Sequence, residues 1–296
     1  MKVEKGMQKG NGGTKVSLII ATYNREEDLC KSIECALNQN YENLEIIVVD
    51  DSITHSRVTN EYLGRVAGKI IYVPNKKISL PHARNIGILH SEGDIIVFVD
   101  DDTIFQRNFV EGHLSYYADP SVGGVAGHYI ESHYSEELRG NVFNPLGNRV
   151  KYVTGCNMSF RRDVLFEVAG FDERYAVNGL CEEMDLSYRV RKAGYKIVGG
   201  EKAFLRHNKN IYGGSRKINQ PDLTIWFKSF FRNSFMFSLV KQSILGALIF
   251  WFSNRRSLLR YFKYRKFDLK SLRFIYDNIK LGYGEYLKGH KSILKV

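Results

Sequence analysis

What this 296-residue chain lacks narrows its class before any motif is considered. Its four cysteines, Cys30, Cys35, Cys156 and Cys181, include no close pair at the spacing of zinc ligands. We therefore expect free thiols in a reducing cytoplasm. No positively charged N-terminal segment leads into a long apolar run, so we expect no signal peptide.

Long apolar runs and glycine-rich phosphate loops are also missing. The charge-free stretch Gln242–Ser253 has 12 residues, fewer than the ~20 that cross a bilayer. The longer stretch Phe235–Phe252 would span only by burying Lys241. No Gly-x-Gly-x-x-Gly motif follows a predicted strand, which argues against a dinucleotide-binding enzyme. Ala21–Arg25, after the first predicted strand, is not the glycine-rich loop of a nucleotidyltransferase, the nearest alternative class.

Charge and aromatic residues are unevenly distributed along the chain. The net charge is +11, and residues 220–296 carry all of it, with 15 Lys and Arg against four acids. Both tryptophans, Trp226 and Trp251, lie in the same part. We therefore predict a flexible leader over residues 1–14, a main domain over 15–219, and a helical, basic and aromatic extension over 220–296.

Short apolar segments alternate with helical patterns in the first hundred residues. Strands are predicted at Val16–Ala21, Leu44–Val49, Lys69–Val73 and Asp94–Val99. A helix that opens at Glu26 follows the first strand, and another is predicted over Ala83–His90. This alternation predicts an α/β fold with a mostly parallel sheet.

Acidic residues end two of these strands. Asp50 and Asp51 follow one strand, and Asp100, Asp101 and Asp102 follow the other. Ligands bind beyond the carboxyl ends of parallel strands, and clustered carboxylates repel one another unless a cation or hydrogen-bond donors lie between them. An Asp-x-Asp after a strand suits Mg²⁺ or Mn²⁺. The alternative is that these acids are caps and turn residues.

A second acidic group opens a helix that is predicted to end near Gly194. Glu182 and Glu183 are candidates for a general base that removes a proton from a hydroxyl. Asp185 is a candidate acceptor contact, or it pairs with Arg189 one turn later as a structural residue.

The chain resembles glycosyltransferase family 2, whose fold is called GT-A. Seven motifs in order carry this resemblance: Val16–Arg25, Val48–Ser52, Ala83–Gly87, Phe98–Asp102, Gly155–Arg162, Gly170–Glu173 and Glu182–Leu186. The chain departs from the family at Ala21, where proline is usual, and at Glu182-Glu183, where the family has Glu-Asp.

The resemblance implies roles for matching positions. It places Thr22, Tyr23 and Arg25 at the donor nucleotide, Asp51 on its base or ribose, and Arg84 near the diphosphate, although Arg84 could equally be a surface helix residue.

It also places Asp100 and Asp101 on the donor side and assigns Asp102 to a metal, Mg²⁺ or Mn²⁺. His207 resembles a histidine near the metal or diphosphate, with a structural role as the alternative. Glu183 would be the base, with Glu182 as the other candidate.

The implied reaction is inverting transfer of a sugar from a nucleotide diphosphate to an acceptor hydroxyl, with acceptor contacts expected from Tyr129–Lys151 and from the extension. A lipid-linked glycan or a surface polysaccharide is the expected acceptor.

The basic extension favours an anionic membrane surface, which predicts a cytoplasmic protein at the inner face of the cell membrane; the alternative is a helical cap on the main domain. Binding of nucleic acid by the basic extension is another alternative. It is not the main expectation, so we expect no nucleic-acid partner.

Overall fold

The main domain is built on one mixed sheet of eight strands in the order β3-β2-β1-β4-β7-β6-β8-β5. The computed structural model describes residues 13–131, 150–175, 180–208, 223–242, 255–265 and 267–294. Most of the predicted leader, most of Tyr129–Lys151 and the domain boundary near residue 220 lie outside these residues. The strands are β1 (Val16–Thr22), β2 (Leu44–Asp50), β3 (Ile71–Pro74), β4 (Ile95–Asp100), β5 (Thr103–Phe105), β6 (Val122–Glu131), β7 (Asn157–Arg161) and β8 (Lys196–His207).

Parallel pairing of β3, β2, β1 and β4 forms the first half of the sheet. The strands β1, β2 and β4 are mostly apolar and buried, as expected where helices cover both faces of a sheet, whereas β3 lies at the edge and is partly exposed. The predicted positions of all four strands are confirmed to within two residues. The register pairs Thr22 with Asp50 and Ala21 with Asp100. The carboxyl ends of β1, β2 and β4 therefore meet at one edge of the sheet.

The second half of the sheet contains three antiparallel pairs. β7 runs antiparallel to β4 and β6, and β5 runs antiparallel to β8, while β6 and β8 are parallel to each other. The last pairing places Glu131 beside His207, and β5 places Thr103 on its other side. His207 is thereby brought to the edge where β4 ends.

Helices flank the sheet, and the start of one and the end of another can be traced to particular residues. The helix α3 begins three residues earlier than predicted, at Leu80, because Pro81 suits a first turn. The helix α6 ends before Gly194, whose φ of +100° only glycine adopts without strain. The helices of the main domain are α1 (Glu26–Leu37), α2 (Arg57–Val66), α3 (Leu80–His90), α4 (Phe109–Leu114), α5 (Arg162–Glu167) and α6 (Glu182–Lys192), with a 3₁₀ turn at Glu173–Tyr175.

Three helices form the described part of the extension: α7 (Leu223–Gln242), α8 (Arg255–Tyr264) and α9 (Leu269–Leu287). Their aromatic side chains share a buried cluster that includes Phe227, Phe231 and Tyr261. Met236 and Phe237 of α7 are buried in a cluster with Tyr175 and Cys181 of the main domain. The extension therefore packs on the main domain as a cap.

Gly282 lies at a close approach of α9 to α7. A Cβ atom at this position would overlap the backbone carbonyl oxygen of Arg232. Glycine lets the two helices cross at backbone distance. Over the described ranges, no helix is both long and apolar enough to cross a membrane.

Candidate functional site

The candidate site lies at the edge where β1, β2 and β4 end. Asp100, Asp102 and His207 offer three ligand atoms that all lie within 4.8 Å of one another. His207 Nε2 is 3.1 Å from Asp102 Oδ1 and 3.9 Å from Asp100 Oδ2. Two carboxylates and an imidazole form a donor set that suits Mn²⁺. The two carboxylates also suit Mg²⁺, which prefers oxygen ligands to nitrogen. Asp102 and His207, the two residues predicted to hold a metal, therefore come together, and Asp100, which was predicted on the donor side, joins them.

Beneath this group, a buried arginine balances the acids. Arg25 Nη1 is 2.7 Å from Asp101 Oδ1 and 3.0 Å from Asp102 Oδ2, and Thr22 donates to Asp101 Oδ2 at 2.7 Å. Burial would lower the pKa of Arg25, but Asp101 and Asp102 more than offset this and raise it. Burial raises the pKa of Asp101, against the effect of Arg25. Thr22, Arg25 and Asp101 are thus engaged with one another inside the site.

Arg84 connects two parts of the site. Its Nη1 donates to Glu182 Oε1 at 2.9 Å, and its Nη2 donates to Asp100 Oδ1 at 3.3 Å and to the Gly155 carbonyl at 3.0 Å. Its guanidinium carbon lies 5.4 Å from the centre of the Phe171 ring. Arg84 is only 3% exposed, which excludes a surface role for this residue.

The adjacent acids that open α6 differ in environment. Glu182 is 3% exposed, whereas Glu183 is half-buried. Burial and the neighbouring Glu183 raise the pKa of Glu182 well above its usual value, although Arg84 acts in the opposite direction. Asp185 is buried, and its Oδ2 lies 2.8 Å from Arg189 Nη2. Asp185 therefore forms the ion pair with Arg189 that a structural role predicts.

Asp51 lies at the end of β2, where two donors hold its carboxylate. The amide of Asn75 donates to Oδ1 at 2.6 Å, and the backbone N–H of Ser79 donates to Oδ2 at 3.0 Å. Burial raises the pKa of Asp51 to about 6 in spite of these bonds. Its neighbour Asp50 binds His55 and Tyr72 instead.

The loop after β1 brings Tyr23 to the same edge, half-buried. Asn24 has a φ of +53°, and its N–H donates to Ser52 Oγ at 2.8 Å. Asparagine tolerates this left-handed conformation better than most residues. The loop therefore turns back over the end of β2, close to Asp51.

Sequence reasoning missed several residues that shape the site. Asn75 and Ser79 hold Asp51, and Phe171 and the Gly155 carbonyl contact Arg84. The last two lie inside motifs of the family resemblance, which was the only available signal. Asn75 and Ser79 follow β3 in a loop without a distinguishing pattern.

Comparison with known proteins finds similarity to glycosyltransferases. The model of the family described as "Glycosyl transferase family 2" matches residues 17–168. An uncharacterized glycosyltransferase of Rickettsia bellii is 35% identical over 71% of this chain and 32% of that protein. The glucosyl-dolichyl phosphate glucuronosyltransferase of Haloferax volcanii is 24% identical over 65% of this chain and 69% of that one. The O-antigen chain rhamnosyltransferase WbaN of Salmonella anatum is 26% identical over 66% of each. The chain thus spans about a third of the length of the R. bellii protein.

Solved structures show the same fold at low identity. Residues 1–349 of S. aureus TarS in complex with UDP-GlcNAc give a TM-score of 0.66 at 15% identity, over 94% of this chain and 82% of that one. The mannosyltransferase PcManGT of Pyrobaculum calidifontis, in complex with GDP-Man and Mn²⁺, gives 0.57 at 16% identity, over 93% and 87%. The expected α/β fold of the GT-A type, with a helical extension, is confirmed.

Proposed function

Because the chain belongs to glycosyl transferase family 2, we propose that it transfers a sugar from a nucleotide-diphosphate donor to an acceptor hydroxyl with inversion at the anomeric carbon. The observation that carries the proposal is the meeting of Asp100, Asp102 and His207 with Arg84 at the strand ends, and of Arg84 with the start of α6. Metal-ligand chemistry and a basic residue for a diphosphate thus lie beside a candidate base.

The nucleoside part of the donor would bind where β1 and β2 end. Asp51 is buried but offers carboxylate oxygens to a base or ribose, and Thr22, Tyr23 and Arg25 belong to the adjacent loop. The two solved structures named above contain UDP-GlcNAc and GDP-Man, which supports a nucleotide-sugar donor and leaves its base open.

The diphosphate would lie beside Asp100, with Asp101 supporting the same strand end. Asp102, His207 and Asp100 would hold Mg²⁺ or Mn²⁺. When bound, the metal neutralises negative charge that develops on a leaving diphosphate. Arg84 carries a positive charge next to Asp100 and would stabilise the same leaving group.

Glu183 is the proposed general base. Glu182 is buried against Arg84, so its carboxyl group is committed to holding that arginine. Glu183 is half-buried on the same helix, so part of its side chain is accessible to an acceptor. It would remove the proton of the acceptor hydroxyl while the oxygen attacks the anomeric carbon on the face opposite the leaving diphosphate, which inverts the centre.

A lipid-linked glycan or a surface polysaccharide is the proposed acceptor, and the names of the Haloferax and Salmonella relatives point to such substrates.

We further propose that the extension of residues 220–296 contacts an anionic membrane at its cytoplasmic face. The outer face of α9 presents an exposed apolar stripe that consists of Leu269, Leu272, Tyr276, Tyr283 and Leu287. Exposed Arg273 and Lys280 flank it. Apolar residues among cations suit the headgroup region of anionic lipid.

A screen of nucleotide sugars with Mn²⁺ tests the transfer. A donor that binds the native state raises the unfolding temperature, and the product made from that donor is then analysed by NMR for its anomeric configuration. We expect one donor class to stabilise the protein and the linkage to be inverted. A retained configuration would refute the mechanism, and the absence of any binding donor would refute the function.

Sedimentation with vesicles tests the membrane contact. Neutralising five cations of the extension should weaken binding to anionic vesicles at low salt, since each contributes about 1 kcal/mol near an anionic leaflet; the variant carries Gln at Arg255, Arg256, Lys263, Arg265 and Lys266. The control carries the same charge change on exposed residues of the main domain, with Gln at Lys31, Arg57, Lys69, Lys192 and Lys202. Equal binding by both variants would refute a contribution of these five cations to a membrane contact.

A further inference from the structure

After α9 the chain returns to the main domain. Gly289 turns the backbone with a φ of +73°, and residues 291–294, here called the strap, follow it. The backbone N–H of Glu173 donates to the Lys291 carbonyl at 2.7 Å, and the N–H of Ile293 donates to Glu173 Oε1 at 3.1 Å. The strap is therefore hydrogen-bonded to the 3₁₀ turn of the main domain.

Leu294 fills a gap in the core of that domain. It is 3% exposed and belongs to the same buried cluster as Phe98 and Phe171. Gly170 lies directly against it with a φ of +59°, and a Cβ at Gly170 would overlap the Leu294 side chain. By contrast, Ile293 is 39% exposed.

The strap also contacts the residue that follows Arg84. The side-chain amide of Asn85 donates to Ser292 Oγ at 3.1 Å and to the Phe171 carbonyl at 2.9 Å, and its oxygen accepts from the Phe171 N–H at 2.8 Å. Asn85 thus fixes the backbone of Phe171, and the strap contacts Asn85 directly.

Phe171 completes the connection to the site. Its ring lies beneath the Arg84 guanidinium, at 5.4 Å from the guanidinium carbon. Arg84 in turn binds Asp100 and Glu182. An unbroken series of contacts therefore runs from Ser292 and Leu294 through Asn85 and Phe171 to Arg84.

We propose that the strap positions Arg84 for catalysis, with Ser292 and Leu294 as positioning residues that act through Asn85 and Phe171. The inference rests on the proposed function, in which Arg84 stabilises the leaving diphosphate. Arg84 acts mainly in the transition state, where charge develops, so its displacement should lower kcat more than it raises the KM for the donor.

Leu294→Ala and Ile293→Ala form a matched pair that tests the proposal. Each removes an aliphatic side chain from neighbouring positions, one buried and one exposed. For Leu294→Ala we expect kcat per folded molecule to fall about ten- to a hundredfold, the size of effect that follows small displacements of a catalytic group. The KM for the donor should change by less than about threefold, and Ile293→Ala should resemble the wild type.

Hydrogen exchange provides a readout that does not depend on activity. The Phe171 amide should exchange faster in Leu294→Ala, while the amides of β1 keep their protection. Ser292→Ala keeps the Leu294 side chain, removes the hydroxyl that accepts from the Asn85 amide and from the Leu294 N–H, and should show the same changes at smaller size.

The outcomes separate the two proposals. If Leu294→Ala and Ser292→Ala both have the same kcat as Ile293→Ala and the wild-type exchange rate at Phe171, the strap is only a packing element and the inference is wrong. If the wild type transfers no sugar, the proposed function fails, and the exchange rate at Phe171 alone decides whether the strap orders this region.

Discussion

Glu182 and Glu183 are neighbouring glutamates with different expected roles, and substituting each one separates base catalysis from structural support. Glu183→Gln keeps the size of the side chain and removes the basic oxygen. Because general-base catalysis contributes about 10²–10⁴-fold, we expect the transfer rate to fall by that factor. Donor binding and the unfolding temperature should stay close to those of the wild type, since Glu183 is half-buried and it is Glu182, which Glu183 contacts, that accepts from Arg84.

Glu182 should behave in the opposite way. In Glu182→Gln the amide oxygen can still accept from Arg84 Nη1, now 2.9 Å from Glu182 Oε1, so the transfer rate should stay within about tenfold of the wild type. Glu182→Ala leaves a buried guanidinium N–H without this acceptor. That costs about 1–3 kcal/mol, and more for a charged group. At about 2–4 °C per kcal/mol for a protein of this size class, the unfolding temperature should fall by roughly 2–12 °C.

The assay measures transfer under single-turnover conditions, with donor affinity and thermal unfolding recorded for the same preparations. Glu183→Ala is the stability control, and its unfolding temperature should change little because the side chain is half-buried. A loss of rate in Glu182→Gln together with full activity in Glu183→Gln would refute the assignment and move the base by one residue.

Three further predictions concern the metal, the nucleotide pocket and the extension. Asp102→Asn should leave the fold intact and remove the dependence of nucleoside-diphosphate binding on Mn²⁺, as measured by calorimetry; unchanged dependence would remove Asp102 from the ligand set. The pKa of Asp51 is raised by burial to about 6, so nucleotide affinity should fall as the pH drops below about 6 and the carboxylate is protonated, and Asp51→Asn should lose this pH dependence. An unfolded aspartate titrates near pH 4, so the native state binds more protons between about pH 4 and 6, and the contribution of Asp51 to stability should decrease as the pH rises through that range. Gly282→Ala would overlap the Arg232 carbonyl and should lower stability by about 1–3 kcal/mol, whereas Gly284→Ala, with open space at its Cβ, should not.

The strands β1, β2 and β4 could be predicted because they are buried on both faces. Val16–Thr22, Leu44–Asp50 and Ile95–Asp100 read as continuous apolar runs that end in polar residues or acids. Parallel strands end at a common edge, so the location of Asp51, Asp100 and Asp102 along that edge followed from the pattern alone. The position of His207 came from the family resemblance.

The second half of the sheet could not be predicted in this way. The strand β6 contains Gly123, Gly124 and Gly127, and β8 contains two glycines followed by Glu201 and Lys202. These residues interrupt the apolar alternation on which the prediction of strands depends. Gly127 is required because a Cβ there would overlap the Asn157 side chain, which is information that only the packed structure contains.

The partners inside the site were also beyond prediction, because they come from distant parts of the chain. Arg84 meets Glu182 across 98 residues, and Asp51 is held by a loop 24 to 28 residues away. Periodicity describes neighbours within a few turns, so such pairs become visible only when the sheet brings the strands together. The roles assigned to the donor-binding residues remain predictions.

The strap has a consequence for how the protein is made. Asn85 and Ser292 are hydrogen-bonded at a separation of 207 residues, and Leu294 packs against Gly170. The ribosome therefore has to extend the chain to Leu294 before the core around Gly170 can close. Contacts between such distant residues form slowly, since a long loop must be ordered first. During synthesis the strands β1 to β4 can pair early, whereas the proposed positioning of Arg84 requires the strap. A nascent chain released before residue 294 would therefore carry every proposed catalytic residue and still have an incomplete core beside Arg84.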